Sequence, residues 1–192
     1  MKAATNKGEL NMGLLKRTVN FARFKADPNI KLQLDPNVLT TSAFQDEEEA
    51  EEVSEQSFGW VSFENSLSTD FQNCVKGNYV VLSLRVDTRN VPYHALQMHF
   101  KKALQEKQTS LSKEDKKVLK EAVKMKLLKR AIPRTNIYDV SWNLTTGSVL
   151  FTATSDKVCG LFEALFFEAF GQRLERVFPY TMCKALTHIC VG

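Results

Sequence analysis

The fold is decided by the sequence NYVVLSLRVD at residues 78–87, in which apolar and polar side chains largely alternate. One face of this segment, if it is extended, carries only the apolar side chains Val80, Leu82, Leu84 and Val86. Successive side chains of a strand point to opposite faces, so the pattern predicts a strand with one face against a core. The opposite face is mixed in character.

Similar patterns on both sides of this segment predict further strands at 14–24, 58–63, 136–142, 148–154 and 173–178. The sequence NLTTG at 143–147 separates two of them. It indicates a hairpin loop, because Gly147 can adopt a positive φ.

Four helices are expected between and after these strands. A short one is predicted near 38–44, and Val91-Pro92 begins a longer one with proline in the first turn. Ser155-Asp156 predicts the cap of a helix that ends at Gly171 and is apolar nearly all round, so it should be buried. Hairpin-linked strands with separate helices are typical of an α+β fold, here a mostly antiparallel sheet with helices packed on one side.

The fourth helix is long and basic, and it spans KEDKKVLKEAVKMKLLKRAIPR at 113–134. Ser112 and Asp115 have the spacing of a capping box, and Pro133 predicts the helix end. Its lysine stripe consists of residues at spacings of four, three and four: Lys113, Lys117, Lys120 and Lys124. A separate face that could be buried contains Val118, Ala122, Met125 and Ile132.

Charge is distributed unevenly along the 192 residues. The net charge is only +4, yet 45–56 carries −7 and 101–134 carries +8. Two opposed blocks of this kind suggest an interaction surface. Like charges repel, so we expect 45–56 to form a mobile acidic loop.

The remaining organisation is simple. We expect a disordered N-terminal tail at 1–13 with Met12 as an alternative start, one domain at 14–180 and a C-terminal tail at 181–192. No apolar run has the length of a membrane span or a secretory signal. The four cysteines are scattered without a CxxC, which favours a cytoplasmic chain with reduced thiols.

The lysine stripe has the dimensions of a phosphate-binding surface. It would extend about 16 Å at the helical rise per residue, or about two phosphate steps along one strand of nucleic acid. Lysine exceeds arginine, which favours point-charge contacts with phosphates over base reading. The candidate nucleic-acid-binding residues are Lys101, Lys102, Lys113, Lys116, Lys117, Lys120, Lys124, Lys126, Lys129, Arg130 and Arg134.

Other side chains give weaker indications. His94 and His99 are badly spaced for paired ligation on a helix, and Cys183, His188 and Cys190 fit no zinc pattern, so we expect no metal and no cofactor. Trp60 and Trp142 could stack on bases, although core packing is favoured for Trp142. No phosphate-binding glycine loop, dinucleotide fingerprint or nucleophile elbow occurs.

The order of several motifs resembles the RdgC family of recombination-associated proteins. They are FGWVSF at 58–63, the strand leading into Val91-Pro92, LLKRAIP at 127–133, YDVSWNLTTGSVLF at 138–151, and Ser155 before the apolar helix. The resemblance covers roughly 14–180 and implies a bacterial, nucleoid-associated, non-enzymatic protein. Family members form ring-shaped homodimers with a basic central hole, bind single- and double-stranded DNA without sequence preference, and restrain strand exchange by the RecA filament.

Two departures from the family pattern stand out. Typical members are longer, so the resemblance implies a short form that lacks their C-terminal part. Long members tend to have Leu-Pro-x-Ala-Phe at the end of the basic helix, where this chain has Lys129 and Ile132 at the proline and phenylalanine positions, with Pro133 displaced.

Two other functions remain open from the sequence. Asp87 and Asp139 lie on predicted strands and could take part in a metal-dependent nuclease. Alternatively, the chain is a protein-interaction module in which the acidic run pairs with the basic helix, within or between subunits.

Overall fold

The computed structural model describes residues 20–28, 36–46, 53–107 and 112–178. Within them the chain forms seven strands and four helices, which confirms the predicted α+β class. The strands are β1 (Ala22–Lys25), β2 (Gln56–Ser62), β3 (Val75–Lys76), β4 (Tyr79–Thr88), β5 (Arg134–Asn143), β6 (Ser148–Phe151) and β7 (Glu175–Val177). The helices are α1 (Pro36–Thr41), α2 (Tyr93–Glu106), α3 (Lys113–Leu128) and α4 (Asp156–Phe170).

Several expectations lie outside the described residues. They are the tail at 1–13, the first part of the strand predicted at 14–24, residues 47–52 of the acidic loop at 45–56, and the tail at 181–192. The described chain divides into two compact units. The first comprises Met1–Phe44, Gly59–Arg85 and Ile137–Gly192, and the second comprises Gln45–Phe58 and Val86–Asn136.

The strands form one open sheet in the order β2-β4-β5-β6-β1-β7, with β3 paired to β4. The β5–β6 hairpin places Trp142 opposite Val149 and Val140 opposite Phe151. Gly147 has φ of 71° in the connecting loop, as the sequence predicted. The sequence did not predict the short β3–β4 hairpin, whose turn contains Gly77 with φ of 61°.

The strand predicted at 78–87 is confirmed as β4, and one of its polar residues is unexpectedly buried. All four apolar side chains of its first face are buried in β4. Ser83 on the opposite face is also buried, and its hydroxyl donates a hydrogen bond of 2.8 Å to Oδ1 of Asp139. The sheet is therefore covered on both faces at this position, so the mixed face does not meet solvent there.

The core of the first unit is aromatic and centres on α4. Phe162 stacks on Phe151 with ring centroids 4.2 Å apart and meets Phe24 edge-on at 5.3 Å. Trp142 packs edge-on against Phe166 at 5.1 Å. Both Trp60 and Trp142 are buried, so neither indole is available to stack on a base.

Helix α4 is less completely buried than its sequence predicts. Cys159, Phe162, Leu165, Phe166 and Ala169 are buried, whereas Phe167 is 48% exposed. The helix ends at Gly171 with φ of 65°, as expected. Ser155 occupies the N-cap position, but its side chain makes no capping hydrogen bond, which corrects that part of the prediction.

Gly59 of the FGWVSF motif permits a close approach between two backbone segments. The segment after α1 runs beside β2, where the N–H of Phe44 donates to the carbonyl of Trp60 and the N–H of Trp60 donates to the carbonyl of Ser42. A Cβ on Gly59 would overlap the backbone of Phe44. A larger residue at this position would force the two segments apart.

The second unit contains α2 and α3, which pack against each other. Neither helix is deeply buried: α2 has no buried residue, and Leu128 is the buried residue of α3. Pro92 was predicted in the first turn of α2, but it is the N-cap, and the helix begins at Tyr93. The carbonyl of Pro92 accepts a hydrogen bond from the N–H of Leu96. In the part of the chain that the structure describes, no helix is both long enough and apolar enough to cross a membrane.

The basic helix α3 differs from its prediction in length and orientation. It ends at Leu128, several residues before Pro133, and Arg134 begins β5 instead of extending the helix. Val118 and Ile132 were expected to be buried, yet they are 69% and 91% exposed. Leu119, Val123 and Leu127, a second row with helical spacing, are half-buried instead, as is Met125 of the predicted face.

Candidate nucleic-acid interface

The eleven predicted cations all lie in the second unit. Lys101 and Lys102 are on α2, and Lys113 through Lys126 are on α3. Lys129 is the C-cap of α3, Arg130 lies in the following turn, and Arg134 is on β5. Nine of the eleven are exposed, and the exceptions are Lys120 and Lys124, which are intermediate in exposure.

The capping box fixes where the basic helix begins. Ser112 Oγ accepts a hydrogen bond of 3.1 Å from the N–H of Asp115 and donates one of 2.8 Å to Oδ2 of the same residue. The carboxylates of Glu114 and Asp115 also lie in the first turn, where the helix dipole favours negative charge. All four stripe lysines are on the continuous helix that follows, so they share a face.

The lysine stripe is not uniformly free. Lys124 forms an ion pair with Glu55, the last acidic residue of the 45–56 run. The hydrogen bond and charge of Lys124 lower the pKa of Glu55, and Glu55 in turn raises the pKa of Lys124, so both groups are ionised at neutral pH. Glu55 is also held through its backbone, because its carbonyl accepts from the N–H of Arg89 at 2.9 Å.

None of the other ten cations forms an ion pair within the described residues. Exposed lysines at helical spacing repel each other slightly, by a few tenths of a kcal/mol per pair. An external polyanion would relieve that repulsion. The cations of α2, α3 and the turn after α3 therefore form a positive surface, and Glu55 neutralises this surface at Lys124.

A groove of about 240 Å³ lies between α2 and α3. Four of its residues come from α2, three from α3 and one, Arg130, from the turn after α3, and both sets have spacings of three, one and three. Its apolar lining is Ala103, Val123 and Leu127. Its polar lining is His99, Lys102, Glu106, Lys126 and Arg130.

The two aspartates considered for a metal-dependent nuclease, Asp87 and Asp139, are both buried. Asp139 is fully buried, its carboxylate accepts from Ser83, and its N–H donates to Thr152 Oγ1 at 2.7 Å. Asp87 is also buried. Across the described ranges, no three His, Cys, Asp or Glu side chains are grouped closely enough to hold a metal ion.

The histidines and cysteines of the chain have different environments. His94 and His99 are both exposed on α2, and only His99 lines the groove. Cys159 is buried, and burial raises the pKa of its thiol, as it does for Cys74. Cys183, His188 and Cys190 lie outside the described residues.

Sequence reasoning missed the pairing of Glu55 with Lys124 and the groove between the helices. The first joins residues far apart in the chain, so no local pattern reveals it. The sequence indicates one side of the groove only weakly. Its residues on α2 have the spacing of one helical face: His99, Lys102, Ala103 and Glu106. Nothing in the sequence shows which face of α3 lies opposite.

Comparison with protein-family models matches residues 19–188 to the family described as "Putative exonuclease, RdgC". A search of curated proteins found no match. The word exonuclease belongs to the description of the family. The match covers most of the chain and supports a recombination-related role. The chain belongs to the RdgC family.

Proposed function

We propose that this protein binds DNA without sequence preference, through phosphate contacts made by the exposed cations of α2, α3 and the turn after α3. It acts in recombination as a non-enzymatic, cytoplasmic and nucleoid-associated homodimer. By occupying DNA it restrains strand exchange by a recombinase filament. One observation carries the proposal: ten of the eleven cations have no ion pair in the described residues, and they lie together in one compact unit.

The chemistry of these cations favours backbone contact over base reading. Lysine presents a compact charge on a flexible stem, whereas bidentate recognition of guanine is mainly the work of arginine. Within the described residues, eight of the nine predicted cations on α2, α3 and the α3 C-cap have no ion pair, and all nine are lysines. Binding is therefore driven by release of counterions from phosphates, and it weakens steeply as salt rises.

The positions of the aromatic residues also favour contact with the phosphate backbone over contact with the bases. Base stacking needs exposed aromatic faces, yet both tryptophans are buried in the core. The second unit does expose Tyr93 on α2, but the cations far outnumber such rings. We therefore expect single- and double-stranded DNA of any sequence to bind.

The test measures fluorescence anisotropy of labelled single- and double-stranded 30-mers over a range of salt concentrations. Changing Lys117, Lys120 and Lys124 to Gln should make the slope of log K against log salt shallower by about 2 to 3 for duplex DNA. The matched control changes Lys25, Lys76 and Lys157 to Gln, which removes the same charge from the first unit. Circular dichroism checks that both variants fold.

Two results would overturn the proposal. The first is a wild-type protein that fails to bind either 30-mer at low salt. The second is a stripe variant whose affinity and salt slope equal those of the control at every salt concentration. Denaturing gels of the same DNA after incubation with Mg²⁺ test the non-enzymatic part, because shortening that Asp87→Asn abolishes would show a nuclease.

The Glu55–Lys124 ion pair favours a second function, in which the acidic run competes with DNA for the basic helix. A carboxylate here occupies a place that a phosphate oxygen would take beside Lys124. The backbone hydrogen bond to Arg89 holds Glu55 in position, so the contact does not depend on a free side chain alone. The protein would then regulate its own binding or pair its acidic run with another subunit.

Glu55→Gln tests this second function. Removing the carboxylate's charge frees Lys124, so duplex affinity should rise severalfold at low salt. The control is Glu64→Gln, which breaks the similar exposed pair with Lys76 in the first unit. Equal affinities for the two variants would refute the competition. Loss of oligomers in Glu55→Gln alone, seen by sedimentation, would place the pairing between subunits.

A further inference from the structure

The groove between α2 and α3 has a charge that its own residues do not balance. Lys102, Lys126 and Arg130 line it together with one carboxylate, Glu106. None of these four side chains forms an ion pair within the described part of the chain. The Lys, Arg and Glu side chains of the lining therefore carry a net charge of about +2 in a concave site.

Charged side chains between two packed helices ordinarily form ion pairs with each other. Flanking positions of two facing helices usually alternate in sign and form salt bridges across the interface. Here three of the four charged positions are cationic, and the lone carboxylate does not reach any of them. Because helix pairing does not neutralise this set, a ligand of opposite charge is the natural occupant.

Exposure shows how the groove is layered. Lys102, Lys126 and Arg130 are exposed, whereas Ala103, Val123 and Leu127 are half-buried. The cations therefore form a rim above an apolar floor. A volume of about 240 Å³ lies below the usual range for drug-sized ligands, so the groove suits a phosphate with part of its sugar.

Charge distinguishes a terminal phosphate from an internal one. A phosphodiester within a strand carries one negative charge, whereas a phosphomonoester carries nearly two at neutral pH and offers three acceptor oxygens. Arg130 can hold two of those oxygens through its planar fork, and two lysines supply point charges. A net charge of about +2 therefore matches the monoester better than the diester.

We propose that this groove binds a dianionic phosphomonoester, supplied by the terminal phosphate of a DNA strand. The assignment to a strand end rests on the proposed function, because the lysine stripe must bring the DNA to the protein. The groove then adds a preference for ends to a surface that otherwise binds any phosphate. A small free phosphomonoester has the same chemistry, and the experiment separates the two sources.

The experiment compares 20-mers that differ only in a 5′-phosphate or a 5′-hydroxyl and carry a label at the 3′ end. The phosphorylated strand should bind the wild-type protein severalfold more tightly. Lys102→Gln with Arg130→Gln should bring that ratio close to one. The matched control is Lys101→Gln with Lys129→Gln, which removes one charge from each neighbouring position outside the groove lining and should keep the ratio.

A ratio of one for the wild-type protein, or an equal ratio in both double variants, would refute binding of strand ends. A second measurement titrates a nucleoside 5′-monophosphate and follows the amide resonances of the groove residues. Saturable shifts that only the groove variant loses, without any preference for the phosphorylated 20-mer, would identify a free monoester as the ligand. Absence of shifts would refute the groove itself.

Different results would refute the proposed DNA binding by the lysine stripe and the proposed phosphomonoester binding by the groove. If neither 20-mer binds at low salt, the lysine stripe does not hold DNA. The monophosphate titration still decides the groove in that case, since it needs no contact from the stripe.

Discussion

Helices α4 and α3 have nearly the same length, 15 and 16 residues, and opposite relations to solvent. Five residues of α4 are buried, and three of its rings, those of Phe162, Phe166 and Phe170, take part in aromatic contacts. Helix α3 buries Leu128 and exposes most of its lysines. The contrast shows that α4 contributes to the core, whereas α3 presents charged side chains at the surface.

The difference has an energetic meaning. Burying a Phe or Leu side chain contributes about 1.5–3 kcal/mol, so α4 and the sheet face beneath it supply a large part of the folding free energy of the first unit. Helix α3 gains little from burial and depends more on its caps and its packing with α2. A helix that contributes little to a core is free to carry charges that suit a ligand.

The largest expected effect tests the structural role of α4. Phe162→Ala removes a ring that is fully buried between Phe24 and Phe151. Loss of its transfer free energy and the cavity left behind should lower the free energy of unfolding by about 3–5 kcal/mol. Urea denaturation followed by tryptophan fluorescence measures the change.

Phe167→Ala on the same helix is the matched control. Its ring is about half exposed, so the substitution should cost much less than Phe162→Ala. Equal losses for the two variants would show that α4 is buried all round, as its composition alone suggests. Salt-dependent DNA binding by the folded fraction should be unchanged in both.

The sequence predicted those parts of the fold that depend on local rules. Alternation located β4, positive φ at Gly147 located the β5–β6 hairpin, and the Ser112–Asp115 spacing located the start of α3. Each feature is decided within a few residues. Local backbone geometry and the hydrophobic pattern therefore agree with the final fold there.

The sequence does not show which of two equivalent faces of a helix is buried. Helix α3 offers one row through Val118 and Ala122 and another through Leu119 and Val123, and both have helical spacing. Packing selects the second row and leaves Val118 exposed. The same limit applies to the candidate site, because the groove requires knowledge of both facing helices and the partner of Lys124 comes from a remote segment.

The cap of α3 gives a smaller and more local test of the comparison. Ser112→Ala removes an acceptor for the N–H of Asp115 and a donor to its carboxylate, so it should destabilise α3 by about 1 kcal/mol. Because α3 buries so little, the loss should appear first as faster amide exchange in its opening turn. Exchange of the Asp115 amide, followed by NMR, measures it.

Ser155→Ala is the corresponding change at α4, where the serine occupies the same N-cap position without a side-chain capping bond. It should leave both the free energy of unfolding and the amide exchange of α4 nearly unchanged. Two serines at equivalent positions would then differ because only one supplies a hydrogen bond that its helix needs. If Ser155→Ala cost as much as Ser112→Ala, capping would matter equally to both helices, and burial would not be what frees α4 from its cap.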